Sequence, residues 1–121
     1  MRIYTSYFSM ARHIPEEIVP ISISLYSPPG FSGIELSLLA PSKEILSAYK
    51  KNPDIDAYTV AYNKQLGAMS PDDVYNILYK FTCGRDCVLL CYEKTGSFCH
   101  RNLVALWMNK SGYNVQEWIK T

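Results

Sequence analysis

The chain has 121 residues, 48% of them hydrophobic and 19% charged, with twelve Lys and Arg against eleven Asp and Glu. This is ordinary globular composition, long enough for residues 1–121 to form a single domain around one core without metal or disulfide support. The cations are scattered, which argues against a nucleic-acid or membrane-surface footprint, and no apolar run reaches the roughly 18–20 residues of a transmembrane helix.

In chain order, Arg2-Ile3-Tyr4-Thr5-Ser6-Tyr7-Phe8 is rich in β-branched and aromatic residues and predicts a first strand. The N-terminal segment holds no continuous apolar stretch of the secretory kind, so a cytoplasmic protein is expected. Ile18 to Leu25 predicts a second strand, with Ile21, Ile23 and Leu25 alternating with serines. Pro20 falls near its beginning, where a missing N–H is tolerated. Residues 26–41, with three prolines and two glycines, read as a long loop, either functional itself or an irregular cap over a site.

Ser42 predicts the N-cap of a helix over 43–51, which Asn52-Pro53 ends. A second helix from about Asp56 to Gly67 places Tyr58, Tyr62 and Leu66 on one face. Ser70-Pro71-Asp72-Asp73 starts a third, with an expected stripe of Val74, Ile77, Leu78 and Phe81 and a stop at Gly84. Cys87 to Tyr92 lacks polar alternation, the mark of a strand covered on both faces. A last helix is expected over Arg101 to Ser111, with Leu103, Leu106 and Trp107 inward and Gly112 just past its end; an edge strand over residues 114–119 follows. The order β-β-α-α-α-β-α-β predicts a compact three-layer α/β domain, its sheet mostly parallel with helices on both faces.

The chemistry-bearing residues concentrate in CYEKTGSFCHRN, residues 91–102. That stretch leads from the end of the central strand to the start of the last helix, where open α/β sheets build their sites. The first-turn N–H groups favour an anion, Arg101 adds a planar two-pronged donor, and Cys99 at the helix start gains thiolate character. Cys and His are poor N-caps and Arg in a first turn opposes the helix dipole, so local stability does not select Cys99-His100-Arg101. Cys91 and Glu93 also read more simply, as a small core residue and an exposed loop acid.

Cys83, Cys87, Cys91 and Cys99 lie in or beside core elements, which favours reduced thiols over a framework of bridges. Cys87 and Cys91, four apart on one strand, are separated by about 13 Å, too far to share a zinc ion. Cys91, Cys99 and His100, with Glu93 conceivable, are what remains of a metal set, and no C-x2-C pair supports it. A Cys91–Cys99 disulfide is geometrically open as well. A Cys–Arg phosphatase loop is excluded because only His100 separates Cys99 from Arg101, and Gly-rich phosphate loops are absent. His13, the other histidine, lies in a polar stretch and reads as a surface residue.

Val88 to Ala105, VLLCYEKTGSFCHRNLVA, resembles the signature of the domain-of-unknown-function 488 (DUF488) family of small bacterial and phage proteins. That signature is an apolar strand, Cys-x-Glu, a short loop, and Cys-His-Arg opening a helix. The first strand, Leu39-Ala40-Pro41 and Tyr58-x3-Tyr62-x3-Leu66 resemble further family segments. The resemblance implies a Rossmann-like fold and a pocket between the first strand's end and the Cys-His-Arg turn. Thr5, Ser6, Cys91, Glu93, Cys99, His100 and Arg101 would line it. It implies no reaction.

These readings converge on a small-molecule site for a nucleotide or another phosphorylated metabolite. Arg101 and the helix N-terminus are expected to hold the anion, with Thr5 or Ser6 hydrogen-bonded to it. Glu93 and His100 form the expected acid/base pair, acting on an N-glycosidic or related bond, with Cys99 as an alternative nucleophile. No cofactor is identified. The rival readings are a non-catalytic binding or inhibitory protein that meets a protein partner through its tyrosines, and a thiolate metal protein.

Overall fold

In the computed structural model, which describes residues 1–121, the apolar run Cys87–Cys91 is the central strand of a five-stranded sheet. The strands are β1 (Ile3–Tyr7), β2 (Val19–Ser22), β3 (Ile34–Glu35), β4 (Cys87–Cys91) and β5 (Gln116–Glu117), in the order β3-β2-β4-β1-β5, with every pairing parallel. Four α-helices follow from the predicted starts: α1 (Lys43–Lys51), α2 (Ile55–Gly67), α3 (Pro71–Thr82) and α4 (His100–Asn109). The α/β class holds, and the all-parallel sheet is compatible with a Rossmann-like arrangement. No helix is long and apolar enough to cross a membrane.

Side chains alternate between the two faces of the sheet. Ile3, Ile21, Ile23, Cys87 and Leu89 join one core with Tyr62 and Leu66 of α2, Val74 and Leu78 of α3, and Val104 and Met108 of α4. Each fully buried aliphatic there contributes about 1.5–3 kcal/mol relative to exposure. Val88 and Leu90 point the other way and are equally buried. A 3-10 helix, Phe8–His13, runs against β1 and β4.

Ser42 caps α1 by accepting from the Ile45 N–H at 3.2 Å. The loop before it is pinned by α2: Gln65 accepts from the Ser42 N–H and donates to the Ala40 carbonyl, while the Tyr62 hydroxyl donates to the Leu39 carbonyl. Replacing Ser42 by Ala is expected to cost about 1 kcal/mol, read as a lower urea midpoint with an unchanged slope. At the end of α3, Cys83 adopts a left-handed conformation (φ 55°) and Gly84 follows at φ 78°. The positive φ is what favours glycine at position 84, since a Cβ there would meet only the tip of the exposed Tyr79 ring, which can swing away.

Three expectations are corrected. Residues 26–41 hold β3 and a 3-10 turn at Ser37–Leu39 rather than loop alone, because Ile34 and Glu35 pair with Ile21 and Ser22 to extend the sheet. On α3 the buried track is Val74, Leu78 and Thr82, and Phe81 is exposed. On α4 the inward track is His100, Arg101, Val104 and Met108, leaving Leu103 and Trp107 half-buried and Leu106 exposed. Two polar residues with strong partners set the rotation of α4, and its aliphatic stripe yields.

Candidate functional site

β4 ends at Cys91 in the middle of the sheet, and the chain returns through residues 92–99 to α4. Arg101, 1% exposed, projects from the first turn of that helix into a closed polar network. Its Nε and Nη2 donate to Glu117 Oε1 and Oε2 at 3.0 and 2.9 Å, a two-pronged pair. Its Nη1 donates to the Glu93 carbonyl at 2.6 Å and to Cys91 Sγ at 3.0 Å. Glu117 also accepts from the hydroxyls of Thr5 and Thr95, each at 2.7 Å. Burial pushes the Glu117 carboxyl up, but hydrogen bonds from Arg101, Thr5 and Thr95 outweigh it and hold the group below the usual carboxylate range. One carboxylate on an edge strand thus ties together β1, the loop after β4 and the start of α4.

His100 lies 2.6 Å through Nε2 from the Ile23 carbonyl. A carbonyl only accepts, so Nε2 carries the proton and Nδ1 the lone pair. Nδ1 faces Cys99 Sγ at 3.7 Å. Burial lowers the pKa of the ring to about 4, against the opposing effect of the Ile23 bond, so the imidazole is neutral at physiological pH. Cys99 heads α4 without capping it, and its sulfur is joined to that of Cys91. The expectation of four reduced thiols is therefore corrected at this pair, which the end of β4 and the start of α4 bring face to face. Cys83 (exposed) and Cys87 (buried) are free. Burial pushes the Cys87 thiol up to about 12, which makes it an inert core group.

Beside this turn opens a cleft of about 240 Å³. Its apolar walls are aromatic, from Tyr26, Tyr49, Tyr58, Tyr92 and Phe98, and aliphatic, from Leu25, Pro41 and Leu46, with Ser24, Glu93, Cys99 and His100 as polar members. Tyr58 packs edge-on against Phe98 and Tyr49, with centroids 5.0 and 5.4 Å apart. Burial, and then the charge of Glu93, push the Tyr58 phenol above its usual range.

Of the residues singled out in the sequence, Glu93, Cys99 and His100 meet in the cleft. Thr5, Cys91 and Arg101 stand behind it in the Glu117 network, where Arg101 spends its donors on protein groups. Ser6 is not brought to either group. It pairs with Leu90, so it points to the opposite face from Thr5, and its buried hydroxyl has no partner. Sequence reasoning missed Glu117 and the aromatic walls. The one available signal was an acid placed between Val115 and Trp118 in an edge strand.

An all-parallel α/β sheet with Cys-x-Glu at a strand's end and Cys-His-Arg opening the next helix is the arrangement expected of a DUF488 protein. The chain belongs to the DUF488-N3a family, described as the active DUF488-N3 subclade, whose profile matches residues 3–112. That match covers β1 through α4 and stops short of β5 and Glu117. No curated protein and no solved structure matches the chain.

Proposed function

We propose that the cleft binds the base and sugar of a nucleoside or nucleotide, and that Glu93 acts there on the N-glycosidic bond. One observation carries this reading: a single carboxylate stands in a cleft whose other walls are mainly apolar, with four tyrosines and a phenylalanine among them. Aromatic side chains receive any planar base, each stack being worth about 1–3 kcal/mol by alanine substitution. A volume of about 240 Å³ falls just below the roughly 300–1,000 Å³ of drug-sized ligand sites, room for about one base and its ribose. A carboxylate beside the anomeric carbon stabilises an oxocarbenium-like transition state or activates water. His100 offers only the acceptor Nδ1, so the proton-transfer work falls on Glu93. A phosphate on the ligand would meet the free N–H groups at the start of α4 rather than Arg101. The description of the subclade as active is in keeping with a working site. A cytoplasmic setting, where nucleotides are abundant, belongs to the same proposal.

The test is thermal unfolding against nucleosides, nucleotides and inorganic phosphate. A ligand at about a hundred times its Kd adds roughly 2.7 kcal/mol, a shift of several degrees. Phe98→Ala is expected to lose that shift. Glu93→Gln is expected to keep it while free base, followed by chromatography, is no longer released. Silence across the whole panel would sink the reading. A shift with phosphate alone would move it to another phosphorylated metabolite, and a nucleotide shift without base release by the wild type would leave a binding protein.

A further inference from the structure

We infer that Cys91, Cys99 and His100, once the two thiols are reduced, bind a soft divalent cation of the zinc type, with its open coordination position towards the cleft. The two Sγ atoms and the histidine nitrogen lie within 4.8 Å of one another, and all three residues are buried. Ligand atoms around a tetrahedral zinc stand about 3.5–3.8 Å apart. The 3.7 Å between His100 Nδ1 and Cys99 Sγ already has that spacing. The Cα atoms of Cys91 and Cys99 are 7.3 Å apart, wider than the roughly 4.4–6.8 Å of most disulfides, so the sulfurs can part around an ion without moving the backbone.

The surroundings fit a metal as well as the ligands do. A metal-bound histidine ordinarily donates its other ring N–H to a carbonyl or carboxylate, which fixes its orientation and aims the lone pair. His100 does this through Nε2 to Ile23. Arg101 Nη1 points at Cys91 Sγ from 3.0 Å, a charged donor suited to a thiolate. The Arg101 charge is already balanced by Glu117, so two buried thiolates need two further positive charges, which a divalent ion supplies. Cys99 and His100 border the cleft, and Cys91 lies beneath them. Three protein ligands and one open position are the pattern of reactive rather than structural zinc sites.

Disulfide and ion exclude each other. With a tertiary phosphine as reductant, the S–S bond takes up two electrons and two protons, and the phosphine leaves as its oxide with the oxygen of a water molecule. The ion then displaces both thiol protons. This inference does not depend on what the cleft binds, because its readout is the metal.

Phosphine-reduced protein is titrated with cobalt(II) without air, then with zinc(II). The expected result is one cobalt per chain with thiolate-to-cobalt absorption that zinc displaces. Cys91→Ser and Cys99→Ser should abolish the absorption, His100→Ala should weaken binding at least about tenfold, and Cys83→Ser should leave it unchanged. No thiolate–cobalt band in the wild type, or full binding by Cys99→Ser, would overturn the inference. Should the serine variants fail to fold, alkylation of the reduced wild type decides it. Zinc that slows modification of Cys91 and Cys99 but not Cys83 supports the site, and equal rates with and without zinc reject it.

Discussion

Glu117→Ala is expected to lower the unfolding free energy by about 3–5 kcal/mol, a large fraction of what a domain this size holds in reserve. The reason lies in the partner rather than in the residue removed. Arg101 is 1% exposed, and Glu117 supplies both oxygens of its two-pronged pair. Deleting the carboxylate leaves a buried guanidinium with a carbonyl, a sulfur and the face of the Tyr7 ring but no counter-charge, and strands the hydroxyl of Thr5. Surface ion pairs behave differently, with a median worth of about 0–1 kcal/mol, so magnitude separates the two cases. Urea unfolding measures it directly, as a fall in midpoint at constant slope. The double change Arg101→Met with Glu117→Leu should recover much of the loss, since it removes the orphaned charge. A cost below about 1 kcal/mol for Glu117→Ala would show that the network is an ornament of the fold and not its keystone.

Stability of the metal-free protein is expected to fall by about 3 kcal/mol as pH drops from 6.5 to 4. His100 has its pKa lowered from 6.5 to about 4 by burial, and each unit corresponds to about 1.4 kcal/mol. Below pH 6.5 the unfolded chain takes up a proton that the folded chain refuses, so the unfolded state gains with each step down. The loss is complete near pH 4, where the buried ring is protonated too. Glu117 then adds a limb of the same sign at lower pH. Its stabilising effect is present above the ordinary carboxylate range and is lost as pH falls through its depressed folded value. Urea midpoints across this range measure both limbs. His100→Gln should remove most of the upper one, leaving only the part from exposed His13, whose pKa is also lowered by slight desolvation and by the nearby charges of Lys120 and Arg12. A wild-type profile already flat between pH 6.5 and 4 would mean that the ring accepts its proton in place.

The elements most legible in the sequence were those with local chemical causes. Ser42 and Ser70 cap helices where the sequence marks them, and the apolar run from Cys87 lies at the centre of the sheet. Tyr58, Tyr62 and Leu66 form the buried face of α2 as their spacing requires. What stayed hidden depends on partners distant in the chain. β3 is two residues long and owes its existence to pairing with β2. The inward turn of Arg101 depends on an acid sixteen residues later, and a charge that reads as an anion donor in isolation is consumed by that acid. The site was legible as a place, the strand-to-helix turn at residues 91–102, and less so as a division of labour. Which of its residues face the cleft and which stand behind it is decided by strand register and by the rotation of α4.

β5 joins the sheet beside β1, so the first strand and the last flank one another next to the site they help to build. Thr5 and Glu117 lie 112 residues apart in the chain, and every residue of the cleft falls between them. Without that carboxylate, Arg101 has no counter-charge, and the turn that carries Cys99 and His100 lacks its anchor. A chain cut ahead of residue 116 would keep every residue of the cleft and still forfeit the site. The edge strand is thus part of the foundation of a pocket that it does not line.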